Sequence, residues 1–261
     1  MKINKEKIIK RLFLSCIFIL NIQAHQEKKV LTFGTLDYCP LICKDNPEKP
    51  GIMIEINNEI FSNGPYEPTY KFMSIKRAYS EIENKTIDGF VGGSIENFNN
   101  NYFPNTPALS QPVSFFIHKD SEWKYNDINS LQNIQIAAIK DFNYKVKEIN
   151  EFLKNSERTL WLSKETGHSQ AFELINLKRI DVFIGGAYTT QHILNQNKFS
   201  KVVKISNSIA FFDNFISLTK KVTEKDRARI LNFFDKEMER LKKSGKLKSI
   251  YNKYGLSIIK K

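Results

Sequence analysis

The feature that most restricts this 261-residue chain is a short pattern that occurs once in each half. A helix-periodic segment leads into Ile87-Asp88-Gly89-Phe90-Val91-Gly92-Gly93 in the first half, and another leads into Ile180-Asp181-Val182-Phe183-Ile184-Gly185-Gly186 in the second. An apolar run too short for a helix, entered from a helix and left through paired glycines, reads as a strand buried on both faces. Such strands belong to mainly parallel sheets, because each parallel crossover lays a helix over a sheet face. The flanking segments agree. Residues 30–35 and 66–73 read as strands, and 51–61, ambiguous in period, is assigned as a helix. Residues 75–84 place Ile75, Ala78, Tyr79 and Ile82 at the i, i+3, i+4, i+7 spacing of an amphipathic helix. The second half repeats the grammar with strand 134–139, helix 146–155, strand 160–162 and helix 170–177. Residues 223–254 form a long amphipathic helix interrupted at Gly245, with Ile230, Phe233, Phe234, Met238 and Leu241 on its apolar face. The expected fold class is α/β: two similar lobes, each a mainly parallel sheet flanked by helices, with a ligand cleft between the lobes at the carboxyl ends of the strands.

The N-terminus points out of the cytoplasm. Lys2, Lys5, Lys7, Lys10 and Arg11 precede an almost unbroken apolar run over residues 12–20, and Ala24 supplies a small residue before His25. This order is that of a secretory signal peptide, expected to span 1–24 with cleavage at Ala24/His25, and the protein is expected in the periplasm. Cys16 lies inside the apolar run rather than after it, which speaks against a lipid anchor there. Loss of residues 1–24 removes five of the 40 Lys and Arg and one of the 28 Asp and Glu, so the net charge falls from +12 to +8. The remaining charge is spread along the chain, and no basic run is interleaved with aromatics, so a nucleic-acid partner is not expected. Cys39 and Cys43 stay after cleavage. In an oxidising compartment they pair if Pro40-Leu41-Ile42 turn, and otherwise remain free thiols. Neither a metal site nor a cofactor site is indicated, since no His or third Cys stands near them and the glycine pairs lack a phosphate-loop pattern.

Several runs, in order, resemble the family 3 extracellular solute-binding proteins, the receptors of polar amino-acid ABC importers. Leu31-Thr32-Phe33-Gly34-Thr35 through Pro40 is similar to the family's opening strand and ligand-facing loop. Arg77-Ala78 through Ile87-Asp88-Gly89 resembles R-A-L-x-x-L-x-x-G-x-x-D-G, and Ser94 through Pro107 resembles S-I-T-x-x-R-x-x-Y-F-x-F-S-x-P. Lys178-Arg179-Ile180-Asp181 is similar to G-R-x-D, and residues 241–254 to the closing L-x-x-x-G-x-L-x-x-I-Y-x-K-W. The resemblance covers nearly all of the mature chain. It implies a two-lobed periplasmic-binding-protein (type II) fold, with lobe 1 formed by 25–115 and 208–261 and lobe 2 by 116–207. It also implies a monomer that takes a small-molecule solute to an ABC permease or reports it to a membrane-bound sensor.

Departures from the pattern bear on the ligand. In the family's amino-acid receptors the Arg after S-I-T holds the ligand's α-carboxylate, and an acidic residue after the second-lobe strand accepts its ammonium. Here Asn99 stands in the Arg position, Glu96 in that of the Thr, and Gly186 in that of the acid. A carboxylate buried without a cationic partner carries a large desolvation cost, so an ordinary α-amino acid is not the expected ligand. By position, the candidate ligand-binding residues are Asp37, Tyr38, Arg77, Ser94, Glu96, Asn99, Phe142, Asn143, Gly186 and Tyr188. The alternatives are core packing for Tyr38, Phe142 and Tyr188, a solvated loop for Glu96, and a helix surface for Arg77. His25, His118, His168 and His192 are scattered, and no catalytic constellation is expected. An enzyme on the same fold stays open by analogy only.

Overall fold

A computed structural model describes residues 27–260. The export segment expected over 1–24, with Cys16, lies outside the described residues. The first half runs β1 (Lys29–Thr35), α1 (Ile52–Ser62), β2 (Tyr66–Phe72), α2 (Ile75–Glu83) and β3 (Gly89–Gly93). After β4 (Leu109–His118) come β5 (Ile136–Ile139), α3 (Lys147–Asn155), β6 (Thr159–Leu162), α4 (Gly167–Asn176), β7 (Val182–Gly186) and α5 (Ala187–Asn195). The chain returns through β8 (Val203–Leu218) and closes with α6 (Glu224–Lys243) and α7 (Lys246–Lys253). No helix among the described residues is long and apolar enough to cross a membrane.

The strands lie in the order β2-β1-β3-β8-β4-β7-β5-β6. β1 is parallel to β2 and β3, and β5 is parallel to β6 and β7, so each half carries the expected parallel triplet. The triplets are joined by β4 and β8, which are antiparallel to each other and to their outer neighbours. Neither joining strand carries an alternating pattern. β4 contains Pro112, and β8 mixes Ser206, Asn207, Asp213 and Asn214 with apolar residues. Register shifts between Val113 and Ser114, and between Ser114 and Phe116, bend the pair.

Two cores result. In one, Phe33 and Val91 meet α1 through Ile56, Ile60 and Phe61, and α6 through Ile230, Phe234 and Met238. In the other, the sheet is covered on both faces. Val113, Phe115, Val182 and Ile184 pack against α3, while Phe116, Ala137 and Phe183 pack on the opposite side against α4. That two-sided burial is why β5 and β7 read as continuous apolar runs. The packing of β4 changes from the first core at Leu109 to the second at Val113, and β8 changes back between Phe212 and Ile216.

The C-terminal helix is divided by Gly245 at φ 76, a left-handed conformation that costs glycine little. Thr223 caps the start of α6 by accepting the Asp226 N–H, and Arg240, Lys242 and Lys243 stand at its carboxyl end.

Gly89 opens β3 where a Cβ would lie 2.2 Å from the Ser217 carbonyl oxygen and 2.6 Å from the Phe33 ring. Because one neighbour is the backbone of β8, it cannot rotate aside. Gly89→Ala is therefore expected to cost about 1–3 kcal/mol, as overpacking does. Urea unfolding would show it as a lower midpoint at unchanged slope, and an unchanged midpoint would contradict the close approach.

Candidate functional site

The carboxyl ends of β5 and β7 open toward the loop that leaves β1, and a cavity of about 370 Å³ lies between them. Tyr38 enters from the β1 side. Ile139, Phe142 and Tyr144 come from the end of β5 and the loop after it. Lys164 and His168 come from the β6–α4 connection and the first turn of α4, and Gly185 and Gly186 end β7. The volume falls within the range of small-molecule pockets.

Tyr38 is placed by a tight turn. Its N–H donates to the Ile42 carbonyl at 2.8 Å, and Cys39 and Cys43 form a disulfide across Pro40-Leu41-Ile42. Of the two states left open for these cysteines, the structure has the bridge.

The loop after β5 is held more tightly still. Asp141 and Lys145 adopt φ 61 and 62, uncommon for residues with a Cβ, and bracket Phe142-Asn143-Tyr144. Asn143 Oδ1 accepts the Lys145 N–H at 2.9 Å, and the Tyr144 N–H donates to Asn150 Oδ1 at 3.0 Å. The Tyr144 hydroxyl, fully buried, accepts the Ile139 N–H at 2.7 Å, satisfying the end of β5. Burial pushes the Tyr144 pKa up, so the phenol stays protonated. Phe142 packs against Tyr144 at 4.9 Å and edge-on against Phe212 at 5.3 Å.

His168 lies edge-on to Phe183 at 5.4 Å, and burial lowers its pKa to about 4. The imidazole is neutral at physiological pH. At Gly186 a Cβ would come within 2.6 Å of the Gln111 side-chain nitrogen, so the space an acidic side chain would leave through is filled by a buried amide. Gln111 is fixed in turn by accepting the Thr189 N–H and hydroxyl.

A second cavity of about 190 Å³ lies at the joining strands, between Ile95 and Glu96 on the turn after β3, Lys145, and Phe211, Asp213 and Phe215 of β8. Glu96 and Lys145 pair there at 3.3 Å. The Glu96 carboxyl is held below the usual range first by its own backbone N–H, then by Ser94 and Lys145. Asp213 accepts a hydrogen bond from the Ser110 hydroxyl.

The candidate residues therefore separate. Tyr38, Phe142 and Gly186 line the main cavity, and Glu96 lines the second. Ser94 bonds Asn97 on the same turn, and Asn99 is exposed beyond it. Asp37 accepts the Lys44 N–H at 3.2 Å, and Asn143 lines an exposed recess beside α3. Arg77 turns along its own helix to Glu81 at 3.2 Å and is a surface residue, not a cleft anchor. Tyr188 is a core residue and not a wall. It is 1 % exposed, meets Tyr251 edge-on at 5.2 Å, and its hydroxyl accepts the Ile259 N–H. The first turn of α5 carries it away from the cavity into the other core. Sequence reasoning missed Lys164 and His168, although the end of a parallel strand was a signal for the former. It also missed Tyr144 and Lys145, which follow the strand it had marked.

Two α/β lobes joined by two strands, with a cavity at the strand ends between them, define a cleft-type ligand-binding protein. The chain belongs to the bacterial extracellular solute-binding proteins, family 3, which match residues 31–257. No curated protein matches it significantly. Among solved structures it resembles the L-cystine solute receptor of Neisseria gonorrhoeae in its unliganded open conformation, at 20 % identity and a TM-score of 0.68, over 90 % of this chain and 97 % of the receptor. It also resembles the periplasmic domain of B. pertussis BvgS, at 18 % identity and a TM-score of 0.68 over 87 % of this chain, which spans only 43 % of that one. A third likeness is to a histidine kinase sensor domain with similarity to periplasmic binding proteins, at 16 % identity and a TM-score of 0.57, over 90 % of this chain and all of that one.

The buried imidazole has a consequence for acid stability. His168 has a pKa of about 4 when folded, against about 6.5 unfolded, so the unfolded chain binds more protons between those values. Its contribution is whole above pH 6.5 and is lost as pH falls toward 4, by about 3 kcal/mol at most. Melting temperatures taken at pH 7 and pH 4.5 should differ less in His168→Gln than in the parent. An equal difference would place the imidazole in solvent.

Proposed function

We propose that this protein captures a small solute in the cleft between its lobes in the periplasm and delivers it to an ABC importer in the cytoplasmic membrane, without catalysing a reaction on it. The observation that carries this reading is the position of the main cavity. It lies at the carboxyl ends of β5 and β7, closed from the other side by Tyr38, with Phe142 and Tyr144 as aromatic walls. Family membership supports the solute-binding part. The hinge in this reading is the stretch where β4 and β8 change cores, 109–113 and 212–216, so the lobe limits expected at 115/116 and 207/208 fall within the same two strands.

The ligand in this reading is not a standard α-amino acid. Asn99 is on an exposed turn, the Gly186 position is filled by Gln111, and Arg77 pairs with Glu81. The likeness to the BvgS periplasmic domain and to a kinase sensor domain favours a second reading, in which the same cleft reports its ligand to a membrane-bound sensor.

A thermal-shift screen of residues 25–261 against amino acids, polyamines, organic acids, peptides and sugars tests the binding function, since a ligand selective for the native state raises the melting temperature by mass action. A shift from a solute other than an α-amino acid is expected. Tight binding of a simple α-amino acid would overturn the ligand reading, and silence across all classes would count against a solute-binding role.

A further inference from the structure

An ion pair joins the two halves of the molecule outside the strand ladder. Glu96 Oε1, on the turn after β3, lies 3.3 Å from the Nζ of Lys145, on the loop after β5. Each end is tied to its own half. The Glu96 turn is closed by the Asn97 and Phe98 N–H groups, both donating to the Ser94 carbonyl at 3.2 Å. Phe98 is buried against Phe90 of β3, with ring centroids 4.5 Å apart. Lys145 follows Tyr144, which is buried in the second core, and its N–H donates to Asn143 Oδ1 at 2.9 Å. Its ammonium also lies 5.4 Å from the centroid of the Phe212 ring, which packs with that same core. With both backbones fixed, a rotation of one lobe on the other changes the Glu96–Lys145 distance directly.

The Glu96 side chain is 71 % exposed and that of Lys145 27 %, so the pair adds little against unfolding and is screened by salt. Lobe closure is balanced more finely than unfolding. Two arrangements of a hinged protein differ by little free energy, and a weak contact made in only one of them shifts the population. The pair borders the smaller cavity with Phe211, Asp213 and Phe215 of β8, at the crossover assigned as the hinge. Asp213 accepts the Ser110 hydroxyl from β4 and so belongs to the joining strands, whereas Glu96 and Lys145 stand outside them on opposite sides.

We propose that the Glu96–Lys145 pair is an electrostatic latch between the lobes, holding the ligand-free protein in the arrangement described here and releasing it as ionic strength rises. The inference rests on the reading of β4 and β8 as a hinge and needs no particular ligand. The latch acts on a solute in the main cavity only through the position of the lobes.

Single-molecule energy transfer on ligand-free residues 25–261 tests it. Fluorophores at Glu67→Cys on β2 and Glu157→Cys just before β6 occupy exposed positions at opposite ends of the strand order, and the Cys39–Cys43 bridge keeps the native thiols out of the labelling. The parent should show a dominant state that loses population between about 20 mM and about 500 mM NaCl. Glu96→Gln, on an exposed turn and so tolerant of change, should lower that state about two- to fivefold at low salt and remove most of the salt response. Lys145→Met, which keeps an apolar stem over Phe212, should do the same, and the double variant should go no further than either. Reversing both charges, Glu96→Lys with Lys145→Glu, should recover part of what each reversal alone loses. A parent-like distribution or salt response in Glu96→Gln overturns the latch. So does a double variant shifted by the sum of the two single ones, since the residues then act independently. A distance that moves with a solute found in the thermal-shift screen but not with these variants removes the latch alone. A distance that stays fixed under every condition removes the hinge reading as well.

Discussion

The antiparallel pairing of β4 with β8 holds the two halves of this molecule in one sheet. β4 registers with β8 along its whole length, from Leu109 opposite Asn214 to His118 opposite Val203. Each strand begins in one core and ends in the other. The backbone pairing thus runs on either side of the stretch where the hydrophobic packing changes core, with register shifts between Val113 and Phe116. Asp213 lines the smaller cavity there and accepts a hydrogen bond from Ser110, which accounts for these two polar residues among apolar ones. A second link runs outside the ladder: Tyr188, two residues past the end of β7, is packed in the first core and bonded to Ile259, and Asn195 bonds the Gly255 carbonyl.

The cavity depends on strand ends that are finished by side chains rather than by further sheet. Where β5 stops at Ile139, the buried Tyr144 hydroxyl takes the last N–H, and the loop that delivers it passes through two left-handed residues. Leaving that N–H unpaired would cost about 1–3 kcal/mol, enough to make the loop conformation worth its local strain. One consequence is that Phe142 and Lys145 project from a fixed loop toward the lobe interface. At β7 the corresponding device is smallness, since Gly186 leaves room for Gln111 to approach and tie down the start of α5.

Electrostatics divides the cleft in two. The joining-strand side holds the Glu96–Lys145 pair and Asp213, while the side beneath Tyr38 holds aromatic rings, a neutral imidazole and the ammonium of Lys164. Exposed ion pairs contribute little to stability, so the Glu96–Lys145 pair adds little to the fold.

Much of the architecture was legible in the sequence because strands buried on both faces and amphipathic helices leave periodic marks. The two Ile-Asp…Gly-Gly runs, the helices over 75–84 and 146–155, and the break at Gly245 all carried their structure locally. β4 and β8 did not, because strands that change cores are apolar on one face for only part of their length, and Pro112 obscures the first. Tyr38, Phe142 and Gly186 lie along the main cavity because they follow strand ends that could be located in the sequence. Sequence position failed for Tyr188 because one helical turn carries a side chain to a different face, and for Arg77 because Glu81 lies one turn away on the same helix. His168 and Lys164 reach the cavity only when α4 is laid against β7. The sequence by itself determined the two α/β halves and the direction in which their strands point. Only the tertiary structure decided which charges meet in the cleft, since Glu96 and Lys145 are 49 positions apart in the chain and are brought together by the crossing of β4 and β8.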